Sequence, residues 1–214
     1  MGDSPLKSSS IIYHENQGQL HVRMGPMFAG KTTWLNGELT KMADTGWKVL
    51  RVSYAQDKRE TTAVDELNGV TSHNSQFVRL SKLINNISVN SIDEVDPGEY
   101  HVIGVDEAQF YDEKLVSIVT HWVRELGCIV YVTALDADSD GNLFGHTAKL
   151  MPISTTYEKM TSFCHYCRAE GKLTTAVITA CLRDRDDVKL VGGAETYVPT
   201  CLRHHQQYNV PTQN

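Results

Sequence analysis

The sequence predicts an α/β fold of the P-loop NTPase type, a mostly parallel sheet flanked by helices, followed by a small C-terminal domain organised by cysteine and histidine. Three observations predict it. A glycine-rich phosphate-loop pattern lies between a strand-like and a helix-like segment, apolar strand-like runs alternate with amphipathic helical ones up to about residue 135, and two Cys/His knuckles lie near the end of the chain. The 214 residues allow one sizeable core plus an appendage, and not two domains of ordinary size. With 41% hydrophobic and 21% charged residues, neither a disordered nor a fibrous chain is expected.

Taken in order, residues 1–18 read as a polar, flexible tail. Gln19–Met24 is the first strand, and Gly25–Gly30 the loop that leaves it. The next segment is helical, with Trp34, Leu35, Leu39 and Met42 on one face and Gly46 as its C-cap. Val49–Ser53 supplies a second strand and Gln56–Thr62 a polar loop after it. Around residues 76–92, Phe77, Leu80, Leu83, Ile84 and Ile87 fit a strand followed by a short helix. Pro97-Gly98 makes a turn before the apolar strand His101–Asp106, Lys114–Leu126 reads as an amphipathic helix closed by Gly127, and Cys128–Thr133 as another buried strand. The acidic, turn-rich stretch Asp136–Asn142 then precedes the Cys/His-rich region. The expected organisation is a 19–155 ATP-binding domain, a 156–208 zinc-binding domain and a 209–214 tail.

Charge and composition narrow the function. A formal net charge of −6 provides no global positive field for nucleic acid or an anionic membrane, so any phosphate must be held locally. The apolar runs are too short to span a bilayer and residues 1–15 lack a secretory-signal pattern, which favours the cytosol or nucleus. Five cysteines, an odd number, fit reduced thiols or a metal better than a disulfide framework.

The segment 25–32, Gly-Pro-Met-Phe-Ala-Gly-Lys-Thr, matches G-x-x-x-x-G-K-[ST]. In such a loop the backbone N–H groups of Gly25, Pro26, Met27, Phe28, Ala29 and Gly30, proline excepted, cradle phosphates, and Thr33 sits in the helical turn that follows. Lys31 reaches the β and γ phosphates of a nucleotide, and Thr32 places its hydroxyl on magnesium. Asp106 and Glu107 end an apolar strand, where open α/β sheets gather ligands. Asp106 is a magnesium organiser, directly or through water, and Glu107 a general base; helix capping is the bland alternative for both. Asp57 and Arg59 follow the second strand. Facing the phosphate loop they would serve magnesium, substrate and the transferring phosphoryl group; otherwise they belong to a solvated charged loop.

Cys164 and Cys167 form one knuckle, and Cys201 with His204 a second, separated by residues 168–200. Three thiols and an imidazole point to tetrahedral, structural zinc. His205 rivals His204, His165 would strain the spacing, and Cys128 and Cys181 are left over. Between the knuckles, Val188–Gly193 reads as a short strand entering a Gly-Gly turn, with Tyr197 beyond it either beside a ligand or packed within the small domain.

The ordered set of these motifs resembles the type II thymidine kinases over residues 19–208. It comprises the phosphate loop, Tyr54-Ala-Gln-Asp57-Lys-Arg59, Asp106-Glu107-Ala-Gln109-Phe110, Ala134-Leu-Asp136 with Leu143-Phe144-Gly145, the two knuckles, and Gly192-Gly-Ala-Glu-Thr-Tyr197. The resemblance implies transfer of the ATP γ-phosphoryl group to the 5′-hydroxyl of thymidine or deoxyuridine, with magnesium and structural zinc. It implies Glu107 as base, Arg59 at the phosphoryl centre and Asp57 in the magnesium and substrate environment. Gln109 joins the nucleotide-binding residues, while Met27 and Phe144 line the nucleoside pocket. Backbone groups near Val188 and Leu190, with Gly192 and Tyr197, would close over the base. A cytoplasmic homotetramer in nucleotide salvage, with feedback inhibition by thymidine triphosphate and no nucleic-acid or membrane partner, is likewise implied. The alternative reading is a P-loop ATPase or GTPase switch with a zinc-stabilised interaction module. The chain departs from vertebrate members in the small acidic stretch around Ser139, in a longer segment between Cys167 and Cys201, and in having His204 where they carry cysteine.

Overall fold

The structure, a computed structural model, describes residues 17–55, 83–183 and 195–210. Strand β1 (Gln19–Met24) buries Leu20, Val22 and Met24 on one face and turns His21 and Arg23 to the other, the two-residue period of a strand. Helix α1 (Lys31–Asp44) follows, burying Leu35, Leu39 and Ala43 at helical spacing, with Trp34 and Met42 beside them. It stops at Thr45 and Gly46, whose φ of 90° ends the helix.

Strands β2 (Val49–Tyr54), β3 (Ile84–Val89), β4 (Val102–Val105), β5 (Ile129–Ala134) and β6 (Thr156–Lys159) complete a six-stranded sheet of order β3-β2-β4-β5-β1-β6, every pairing parallel. Helix α2 (Lys114–Arg124) links β4 to β5 and buries Leu115, Val119, Trp122 and Val123. One face of the sheet carries Val22, Leu50, Val52, Ile103, Val105, Val130 and Val132 against α2 and Leu150. On the opposite face Val49, Val102 and Tyr131 meet Leu35 and Leu39 of α1. Here Gly104 decides the approach of the helix, because a Cβ on it would lie 2.6 Å from Leu39 Cδ1. Burial on both faces, at roughly 1.5–3 kcal/mol per large apolar side chain, explains why β4 and β5 are almost continuously apolar.

Several details differ from expectation. Helix α2 ends at Arg124, two residues short of the predicted end, and the last strand begins one residue later, at Ile129. A 3₁₀ segment, Thr147–Ile153, precedes β6; Pro152 lies inside it, and the sequence pattern did not reveal it. Thr156–Lys159 lies past the expected boundary at 155 yet pairs with β1, so the large sheet extends to Lys159.

Beyond it come strand β7 (Ser162–Phe163), helix α3 (His165–Ala169), strands β8 (Thr175–Ala176), β9 (Ile178–Cys181) and β10 (Tyr197–Thr200), and helix α4 (Leu202–Tyr208). β7 pairs with β8 and β9 with β10, both antiparallel. The small cluster here is Cys164, Cys167 and Ala176 with Tyr166 and Cys201, too little apolar surface to hold a unit of this size by itself. A stack of Tyr166 on Tyr208, centroids 3.9 Å apart, ties α3 to α4.

Candidate active site

The strand order brings the carboxyl ends of β2, β4, β5 and β1 side by side. The connection from β1 runs one way, to β2, while that from β5 runs the other, to β6, so β1 and β5 flank a switch point of the kind where open α/β sheets bind ligands. The phosphate loop leaves β1 there. Gly25 N–H is bonded to Ala134 O (3.2 Å), and Gly30 takes φ 79°, ψ 20°, the left-handed conformation that lets α1 start at Lys31. Phe28, exposed, also has positive φ, at 61°. The Lys31 ammonium is buried and donates to the carbonyls of Gly25 (3.1 Å) and Pro26 (2.7 Å), curling over the loop. No acidic side chain lies in the first turn of α1, so that turn itself does nothing to offset the positive end of the helix beside Thr32 and Thr33.

The loop is also gripped from the C-terminal region. Met27 N–H donates to Thr179 Oγ1 of β9 (2.9 Å), Ser162 Oγ donates to Phe28 O (3.0 Å), and Met160 N–H donates to Met24 O (2.7 Å). Thr179 and Ser162 escaped the sequence reading, because neither lies in a recognisable motif.

Asp106 is 1% exposed at the end of β4. Its Oδ2 pairs with Arg51 Nη2 of β2 (3.0 Å), and its Oδ1 accepts from Thr133 Oγ1 of β5 and from Glu107 N–H (3.0 Å). Arg51 and Thr133 were missed, although a charged residue inside the apolar Val49-Leu-Arg-Val run was a signal. Glu107 has φ 51°, ψ 41°, a left-handed conformation costing a non-glycine residue on the order of 1 kcal/mol or more, of the sort that collects at functional sites. Its Oε2 accepts from Gln109 Nε2 (2.5 Å), and Gln109 Oε1 accepts from Leu135 N–H (2.9 Å). The turn is backed by rings: Phe110 stacks on Tyr54 (5.0 Å) and meets Phe144 edge-on (5.7 Å).

The acidic stretch is a tight turn around Asp138, whose carboxylate accepts from the N–H groups of Asp140 and Asn142. Ser139 is buried there, and its carbonyl meets His205 Nε2 at 2.8 Å.

Cys164, Cys167, Cys201 and His204 converge, their ligand atoms all within 4.8 Å of one another. His204 Nδ1 lies 3.2, 3.4 and 3.6 Å from the three sulfurs. Tetrahedral zinc with ordinary bond lengths would set sulfur and nitrogen about 3.6 Å apart, so the donor set fits that ion. The choice between neighbours is thereby made: His204 faces the thiols and His205 turns to Ser139, while His165 is exposed. Beyond the thiols, His204 Nε2 has Arg203 Nη2 at 2.9 Å and Glu170 Oε1 at 3.8 Å, the latter outside hydrogen-bond reach. Burial alone would raise the Cys164 thiol, but hydrogen bonds from the Cys167 and Cys201 backbone and from His204 bring it down to about 6; burial and the adjacent Cys164 raise Cys201. Cys128 and Cys181 are buried elsewhere, and burial pushes Cys128 up to about 11.

Tyr197 is buried at the start of β10, opposite Cys181. Asp57, Arg59, Val188, Leu190 and Gly192 lie outside the described residues. Among the described residues no helix is long and apolar enough to cross a membrane.

A parallel α/β sheet with a phosphate loop at its switch point, acids at the end of β4 on the far side of β5 and a Cys3His metal-binding sub-domain defines a P-loop nucleotide-binding phosphotransferase. The sequence profile described as thymidine kinase matches residues 18–205. The chain belongs to the thymidine kinase family. It is 30% identical over 198 residues to a thymidine kinase of Ureaplasma parvum serovar 3, covering 92% of this chain and 86% of that one. A rice (Oryza sativa subsp. japonica) thymidine kinase is 32% identical over 197 residues, covering 88% of this chain and 66% of that one. A fowlpox virus thymidine kinase is 28% identical over 188 residues, covering 88% and 97%.

Proposed function

We propose that this enzyme transfers the γ-phosphoryl group of ATP to the 5′-hydroxyl of thymidine or deoxyuridine, giving the nucleoside monophosphate and ADP. The observation that carries this reading is Glu107, a carboxylate held in a left-handed turn just past the carboxyl end of β4, on the same edge of the sheet from which the phosphate loop leaves β1. Glu107 takes the 5′-hydroxyl proton as the oxygen–phosphorus bond forms. The backbone N–H groups of residues 27–33 and the Lys31 ammonium hold the phosphates, with Lys31 exchanging its two carbonyl partners for phosphate oxygens. Arg59 offsets charge at the transferring group, and Asp57 orients the nucleoside.

Thr32 and Asp106 offer the hard oxygen atoms that magnesium prefers. When bound, that ion neutralises the β and γ oxygens of the nucleotide. Arg51, Thr133 and the Glu107 N–H engage Asp106 and fix its carboxylate in place, from where it would hold that ion directly or through water. Met27, Phe144 and Tyr197, with backbone near Val188, Leu190 and Gly192, enclose the base. Zinc on Cys164, Cys167, Cys201 and His204 holds the region that covers it. Family membership supports a cytoplasmic homotetramer restrained by thymidine triphosphate.

Replacing Glu107 with Gln tests the reading. Transfer falls by roughly 10²-fold or more, the scale of lost general-base catalysis, while ATP still binds. Undiminished transfer removes Glu107 from this role.

A further inference from the structure

We propose that Gln109 is a positioning residue that holds Glu107 in its proton-accepting orientation, a proposal that rests on Glu107 being the base. Gln109 is 2% exposed, and both ends of its amide are engaged within the protein. One partner settles the amide's orientation. Leu135 N–H can only donate, so the atom facing it, at 2.9 Å, is the amide oxygen. The opposite end is therefore the NH₂ group, which donates to Glu107 Oε2 at 2.5 Å. Accepting this N–H makes Oε2 the weaker proton acceptor of the two carboxylate oxygens, because the donated hydrogen already draws on its electron density. The contact thus favours Oε1 as the oxygen that receives the proton of the acceptor hydroxyl.

The arm is anchored from three sides. Gln109 lies in the 3₁₀ turn Ala108–Phe110, two residues past Glu107 and its left-handed backbone. Leu135 follows directly on β5, a central strand of the sheet. Gly145 packs so closely on the backbone of Gln109 that a Cβ there would come within 2.3 Å of the Gln109 carbonyl oxygen. The buried donor restricts the flexible glutamate side chain, so the base is aimed before substrate arrives. Buried behind Glu107 and doubly bonded to protein, Gln109 acts on the nucleotide only through its neighbour.

The test uses the full-length, metal-loaded enzyme and two variants. Gln109→Met removes both bonds at similar volume. Gln109→Glu retains an acceptor for Leu135 N–H and replaces the donor facing Glu107 by an acceptor, which keeps the experiment readable if the Met variant folds poorly. Each lowers kcat by about 10-fold or more, the fold-change equivalent of one hydrogen bond to a charged group. Thymidine KM and the calorimetric Kd for ATP stay within about 2-fold, the pattern of an interaction used in the transition state. In a Glu107→Gln background Gln109→Met lowers kcat by less than about 2-fold, since the group it positions is gone. A rise of ATP Kd matching the loss of rate, or an undiminished loss in the Glu107→Gln background, overturns the proposal and returns Gln109 to nucleotide binding or scaffolding. Failure of Glu107→Gln alone to slow transfer would instead refute the general-base reading.

Discussion

Replacing Arg51 with Met should destabilise the protein far more than loss of an ion pair like that with Asp106 would at the surface. The Arg51 side chain is 10% exposed and the Asp106 side chain 1%, so truncating the cation leaves a carboxylate charge in the sheet without its counter-ion. Breaking a buried pair from one side costs about 3–5 kcal/mol, and the bonds from Thr133 and the Glu107 N–H place this case near the lower end, about 3 kcal/mol. For a chain of this length that corresponds to a fall in Tm of roughly 6–12 °C. Urea and thermal unfolding followed by circular dichroism, with zinc present, measure it. The double variant Arg51→Met, Asp106→Leu removes the stranded charge and should recover part of the loss. A single-variant change below about 1 kcal/mol, or a double variant as unstable as the summed singles, would refute the reasoning.

Thr179→Val removes the acceptor of Met27 N–H; calorimetry should show ATP binding weakened by roughly 3–10-fold, the scale of one neutral hydrogen bond, and unchanged affinity would mean that β9 does not support the phosphate loop. Cys201→Ser should lower the metal content, read by native mass spectrometry, below the one zinc per chain expected of the parent, and lower thymidine affinity with it if the cluster staples a region that covers the substrate. Retention of full zinc would reassign the ligands. With its thiol buried and pushed up to about 11, Cys128 should resist iodoacetamide at pH 8 until the chain unfolds; prompt labelling in the folded protein would contradict its burial.

What the sequence revealed and what it hid divide along physical lines. Local periodicity placed β1, α1 and β2 within a residue or so, because Leu20, Val22 and Met24 alternate while Leu35 and Leu39 recur at helical spacing. The phosphate loop and the knuckles were legible since each gathers its chemistry within a few residues. The hidden features depend on register between distant segments. Arg51, Asp106 and Thr133 meet only because β2, β4 and β5 are neighbours in the sheet, an order no local pattern reports. Every residue of Thr156–Lys159 is exposed, without the apolar alternation that would mark a sheet strand, and the Pro in Thr147–Ile153 obscured the helical turn before it. The choice of His204 over His205 follows from the direction in which α4 leaves Cys201, and Gln109's role from its meeting with Leu135 across 26 residues.

The most direct measurement incubates the folded, zinc-loaded protein with magnesium, γ-labelled ATP and a panel of nucleosides, and follows label into monophosphate. The account predicts labelled thymidine and deoxyuridine monophosphates, with purine nucleosides left unmodified. Absence of transfer to any pyrimidine nucleoside would contradict it.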